Sequence, residues 1–202
     1  MNKLLVDSIN KKIHIINQCG CPVIFVITGT NGSGKTRLAK TLYKELDFFN
    51  LVNLGVVTKL VRFFNSEIEL GDLENASNSQ EKKIINKSVE FIVTQYGKTG
   101  VNTIIDGVQA DIKSLTADNN ILGGVILLTS KENLVTRGKR PETHFLRKLK
   151  ALTVVKYQAR GRKFKFVDNN GSMNKTVDLT ATFLNKLLNE RMTKLKNVKN
   201  TN

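Results

Sequence analysis

The chain has 202 residues and a net charge of +15, from 32 Lys and Arg against 17 Asp and Glu. That length suits a single domain, and a hydrophobic share of 40% supports a core and excludes a disordered chain. The longest apolar runs fall far short of the roughly 20 residues of a membrane span, and lysines interrupt any signal-peptide core in MNKLLVDSINKKIHIINQ, so a cytoplasmic protein is expected.

Within residues 1–20, a lead-in helix is predicted over 3–17 from its apolar spacing. Cys19 and Cys21 follow as a lone C-x-C with no second pair, and read as ordinary reduced thiols. Val23–Thr28 is a continuous β-branched and aromatic run, short enough for a buried parallel strand. RLAKTLYKEL continues as a helix with Leu38, Leu42 and Leu46 on one face. LGVVT, at Leu54–Thr58, is the second predicted strand. Residues 65–80 are polar, acidic and turn-rich, which predicts a loop or cap, and residues 81–96 return to helical spacing. VNTIID, GGVILLT and KFKFVDN are the third, fourth and fifth strands, and a last helix is expected over 176–195. Strands alternating with helices imply an α/β fold with a mostly parallel sheet covered on both faces. Ligands of such sheets sit at the carboxyl ends of the strands.

Two chemically loaded stretches follow strands at that edge. GTNGSGKT fits the pattern G-x-x-x-x-G-K-S/T in full and stands between a strand and a helix. Gly29, Gly32 and Gly34 permit backbone conformations closed to residues with a Cβ, so consecutive N–H groups converge on one anion. Thr30, Asn31 and Ser33 complete the cradle, and the helix starting near Lys35 adds the positive end of its dipole. Lys35 is placed to bridge the β- and γ-phosphates of a nucleotide, and the Thr36 hydroxyl to ligate Mg²⁺. The second stretch is DGVQAD. Asp106 at its start either holds Mg²⁺ or accepts a proton from an attacking hydroxyl.

Charge is concentrated between Lys131 and Phe166, where twelve Lys or Arg face two acids and give +10 of the total. Such a field attracts phosphorylated ligands or nucleic acid. Residues 130–150 read as a basic helical lid, in which Arg137, Lys139, Arg140 and Arg147 close over the phosphates. His144 interrupts those charges as a candidate substrate ligand. Arg62, in VTKLVRFF, is placed to fork onto an acceptor phosphate or carboxylate.

The order of the glycine loop, VTKLVR, IIDGVQ, ETHFLR and FVDNN resembles the 2-phosphoglycerate kinase-like branch of P-loop kinases. That branch is similar in turn to nucleoside monophosphate kinases and zeta-toxin kinases. The resemblance spans roughly residues 23 to 190 and implies a three-layer P-loop sandwich with a five-stranded sheet in the order 2-3-1-4-5. It also implies ATP, Mg²⁺ and phosphoryl transfer to a small acidic hydroxyl compound. ATP binding would fall on Gly32 to Thr36, acceptor binding on Arg62, and lid functions on His144 and Arg147. Such kinases often carry an Asp directly after the Thr of the second strand, where this chain has Lys59. A lysine there suggests a more anionic acceptor or a site turned to another task.

Three functions compete. The first is a metabolite kinase acting on a small phosphorylated or carboxylated acceptor. The second is a polynucleotide 5′-kinase with Tyr157, Phe164 and Phe166 stacking bases along the basic segment, although the alternation of KFKFVDN turns one or both phenylalanines inward. The third is a nucleotide-binding switch or a toxin-like nucleotide-sugar kinase; the chain has no guanine-reading N-K-x-D stretch. The metabolite kinase is the expectation carried forward. Acceptor identity and oligomeric state stay open.

Overall fold

Ile24 to Ile27 is apolar without interruption because both faces of its strand are covered: each of these residues is 0% exposed. In the computed structural model of this protein, residues 1–29, 32–48, 50–64, 79–107, 121–138 and 163–199 are described. Five parallel strands form one sheet: β1 (Ile24–Gly29), β2 (Asn50–Asn53), β3 (Thr103–Asp106), β4 (Ile121–Leu128) and β5 (Phe164–Asp168). Their order is β2-β3-β1-β4-β5, as the resemblance implied, with the first strand in the middle.

Helices cover the two faces. On one side lie α1 (Lys3–Gln18), α2 (Lys35–Glu45) and α6 (Met173–Lys199). Their Ile9, Ile13, Leu38, Leu42, Leu184 and Leu188 pack with Phe25 and Ile27 of β1. On the other side lie α3 (Leu54–Phe64) and α4 (Ser79–Thr99), whose Leu54, Val89 and Val93 pack with Ile24 and Val26. The period-two alternation along β1 thus feeds two separate cores. A short helix α5 (Lys131–Gly138) follows β4. No helix among the described residues is long and apolar enough to cross a membrane.

One predicted element is different. LGVVT is not a strand but the first turns of α3, and the strand is the shorter NLVN before it. The cause is local: the Asn53 side-chain oxygen accepts the Val56 N–H at 3.1 Å, as an N-cap does. Helical spacing then buries Leu54 and Thr58 at 1% and 0% exposure and leaves Val56, Lys59 and Leu60 outside. A short apolar run cannot declare its period, and here the cap decides it. Of the predicted 65–80 loop, residues 65–78 lie outside the described residues and Ser79–Gln80 begin α4. Of the predicted lid, α5 is described and residues 139–150 are not. Phe164 is partly buried against the α3/α4 core whereas Phe166 is 39% exposed, so the inward turn holds for one of the pair. Tyr157 lies outside the described residues.

Candidate active site

The carboxyl end of β1 leads into the glycine loop, of which Thr30 and Asn31 lie outside the described residues. Gly29, Gly32 and Gly34 all have positive φ, at 144°, 79° and 91°. Gly34 is the N-cap of α2, and a Cβ on it would come within 2.6 Å of Asn169 Nδ2. Conformation and space therefore both demand glycine there. Lys35 opens α2 and is 8% exposed, so its ammonium is drawn into the molecule beside the loop. Ser33 is fully buried and its hydroxyl oxygen has no hydrogen-bond partner among the described residues. A buried hydroxyl without a partner beside converging N–H groups suits an anion.

Sheet register brings the second group of residues to the same edge. Asp106 of β3 lies level with Ile27 of β1 and with Asn53 of β2. Its Oδ2 accepts from Thr36 Oγ1 at 2.6 Å and from Asn53 Nδ2 at 2.9 Å. Its Oδ1 is buried and has no hydrogen-bond partner among the described residues. Burial pushes the Asp106 carboxyl above the usual carboxylate range, and the Thr36 bond, the Lys35 charge, the Asn53 bond and Lys40 partly offset that rise. The Thr36 hydroxyl spends its hydrogen on Asp106 and accepts from Asn53 Nδ2 at the long distance of 3.5 Å, which leaves an oxygen lone pair to face a cation.

A third group braces the loop from β5. Asn169 is 1% exposed, and its Nδ2 donates to the Ser33 carbonyl at 2.6 Å. The Arg137 guanidinium, from α5, donates to the Asn169 carbonyl at 3.0 Å.

Gly29, Gly32, Ser33, Gly34, Lys35, Thr36 and Asp106 thus come together at one edge, as the sequence predicts. Arg137 is tied to the same edge through Asn169. Lys59 is exposed within α3 and follows no strand, because the residue that ends β2 is Asn53. The comparison of Lys59 with a strand-end Asp therefore does not hold for this fold. Arg62 lies on α3 with its side chain outside the described residues, as are Arg140, His144 and Arg147 altogether. Asn53 and Asn169 were not singled out from the sequence. Asn directly before a helical run is a recognisable cap signal, whereas nothing local distinguishes Asn169 within FVDNN.

No family model matches the chain, and no curated protein matches it. Solved structures do. A gluconokinase from Sinorhizobium meliloti 1021 superposes with a TM-score of 0.58 at 15% identity, over 86% of this chain and 98% of that one. A sugar kinase from Janibacter sp. HTCC2649 does so with a TM-score of 0.59 at 18% identity, over 81% and 94%. The chain has the α/β P-loop sandwich fold of these two structures. At these identities the likeness establishes architecture, and the chemistry rests on the residues.

Proposed function

We propose that this protein is an ATP- and Mg²⁺-dependent phosphotransferase whose acceptor is a hydroxyl of a small anionic metabolite, 2-phosphoglycerate-like. The observation that carries this reading is the Asp106 carboxylate. It is bonded through Oδ2 to Thr36 of the GTNGSGKT motif, and its buried Oδ1 has no partner among the described residues. A desolvated carboxylate at this place can hold Mg²⁺ with the loop threonine or take the proton of an acceptor hydroxyl, and a phosphotransferase has use for both.

The residues present fit Mg²⁺. Thr36 offers an oxygen whose hydrogen points to Asp106, the Asp106 carboxylate would hold the ion or its water shell, and Mg²⁺ takes most of its remaining ligands from water and phosphate oxygens. ATP with Mg²⁺ supplies the phosphoryl group and part of the charge neutralisation. Gly34 and its neighbours hold the polyphosphate by backbone N–H groups, and Lys35 adds a buried positive charge. Asp106 Oδ1 receives the proton that the acceptor hydroxyl gives up as its oxygen bonds to the γ-phosphorus and ADP leaves. The proton affinity of Asp106, raised by burial, suits it to that task. An anionic acceptor is supported by the +10 segment between Lys131 and Phe166, and Arg62, His144 and Arg147 are the residues assigned to hold it.

The test is a transfer screen with γ-labelled ATP against pooled phosphorylated and carboxylated metabolites, with short RNA and DNA alongside. A labelled small acid is expected from the wild type, and none from Lys35→Ala. Label in the oligonucleotides instead would overturn the acceptor class. Label in neither pool, with ATP turned over to water, would overturn the kinase.

A further inference from the structure

Asn169 stands directly after β5, and all four of its hydrogen-bonding groups are engaged. Its N–H donates to the Leu128 carbonyl at 2.8 Å and so continues the β4–β5 pairing past the end of the strand. Its carbonyl accepts from Arg137 at 3.0 Å. Its side-chain oxygen accepts from Thr176 Oγ1 at 2.8 Å, and its side-chain nitrogen donates to the Ser33 carbonyl at 2.6 Å. The first and third of these bonds fix the residue to the sheet and to α6. With backbone and side-chain oxygen both held, the amide has one direction left for its Nδ2–H, toward the phosphate loop.

The Ser33 carbonyl and the Gly34 N–H belong to one peptide. In a planar trans peptide these two groups point in opposite directions. Whatever pins the carbonyl on one side aims the N–H to the other. Gly34 needs such a partner: at φ 91° it lacks the Cβ that would restrict its backbone, and its N–H is among the donors α2 leaves unsatisfied. The absent Cβ is also what lets Asn169 approach, since Nδ2 would stand 2.6 Å from it.

We propose that Asn169 is a positioning residue for polyphosphate binding, which aims the Gly34 N–H by holding the carbonyl of the same peptide. The proposal rests on the loop being a polyphosphate site, as the proposed function has it. It implies that the carboxyl end of β5 shapes the phosphate cradle from the side opposite the anion, without touching the anion.

Asn169→Asp is nearly isosteric and separates this role from packing. Its carboxylate still accepts from Thr176, but it has no hydrogen for the Ser33 carbonyl, and two oxygens then face each other. Calorimetry with magnesium pyrophosphate and with MgADP gives the readout. Both affinities are expected to fall alike, by about tenfold or more, with Tm lowered by less than about 8 °C. Unchanged affinity for pyrophosphate would overturn the proposal. So would a loss confined to MgADP, which would mean that Asn169 serves the base or ribose. If the Asp variant does not fold, Thr176→Val loosens the amide while retaining it, and a fall in pyrophosphate affinity of about threefold is expected; no change overturns the proposal. Should the wild type bind neither probe, the kinase reading fails by itself. Hydrogen exchange at the Gly34 amide of the ligand-free protein then decides, with faster exchange in Asn169→Asp expected and equal rates fatal.

Discussion

Thr36 Oγ1 donates to Asp106 Oδ2 at 2.6 Å, joining residues 70 apart in sequence. The first is the last residue of GTNGSGKT and lies in the first turn of α2, and the second is the last residue of β3. The parallel β1–β3 register sets Asp106 level with Ile27, and the loop after β1 brings Thr36 to it, so the contact depends on strand order. It turns two separate sequence signals into one site.

The first prediction concerns Asp106→Asn. An asparagine can present its oxygen where Oδ2 now accepts from Thr36 and Asn53, so both bonds survive. What is lost is the charge and the capacity to take a proton at Oδ1. Turnover is expected to fall by about 10² to 10⁴, while the Kd for ATP shifts by only a few fold. Turnover equal to wild type in a steady-state assay would reduce Asp106 to a structural bond acceptor.

The second prediction follows from the raised proton affinity of the same carboxyl, caused first by burial. A carboxyl raised in the folded state binds more protons folded than unfolded. Its contribution to stability is complete below the unfolded value of 3.8 and is lost as pH rises through the folded value. Ligand-free wild type should therefore lose stability relative to Asp106→Asn as pH rises above about 4. The Tm difference between the two proteins, followed from acid to neutral pH, checks the sign. A constant difference would mean that Asp106 titrates normally.

Much of this architecture is legible in the sequence, for definite reasons. β1 declares itself because a strand buried on both faces must be apolar throughout. The loop declares itself because three glycines, a lysine and a threonine meet one stereochemical demand. α3 does not, because Leu54–Thr58 satisfies both periods and only the side chain of Asn53 selects the helix. Placing the second strand four residues late also shifted attention from Asn53, at the sheet edge, to Lys59, which is exposed on α3. Asn169 was invisible for another reason. Its partner Ser33 is 136 residues away, and a backbone carbonyl leaves no trace in sequence.

The third prediction tests a close approach. A Cβ at Gly107 would stand 2.5 Å from the Leu54 Cβ, where α3 begins against the end of β3. Gly107→Ala is expected to cost about 1 to 3 kcal/mol in urea unfolding, the range of overpacked cores. Adding Leu54→Gly, which removes that Cβ as alanine would not, should recover part of that loss, although Leu54→Gly alone is destabilising. Strictly additive effects would show that the two positions do not press on each other.

The two ends of the Asn53 amide serve different elements, and this gives the last prediction. Its oxygen caps α3 at Val56 N–H, and its nitrogen donates to Asp106 at 2.9 Å and, at the longer distance of 3.5 Å, to Thr36 Oγ1. Asn53→Ala removes the cap and the donor; Asn53→Ser restores a good cap, but its single hydroxyl is too short to serve α3 and Asp106 together. The alanine variant should lose about 1 kcal/mol of stability and the serine variant only a few tenths. Turnover should fall in both to a similar extent, about tenfold, because the Asp106 carboxylate loses a donor that fixes its orientation. Such a split between stability and turnover is what a positioning role at the sheet edge requires. If serine restores turnover along with stability, Asn53 acts only by starting the helix, and Thr36 alone orients Asp106.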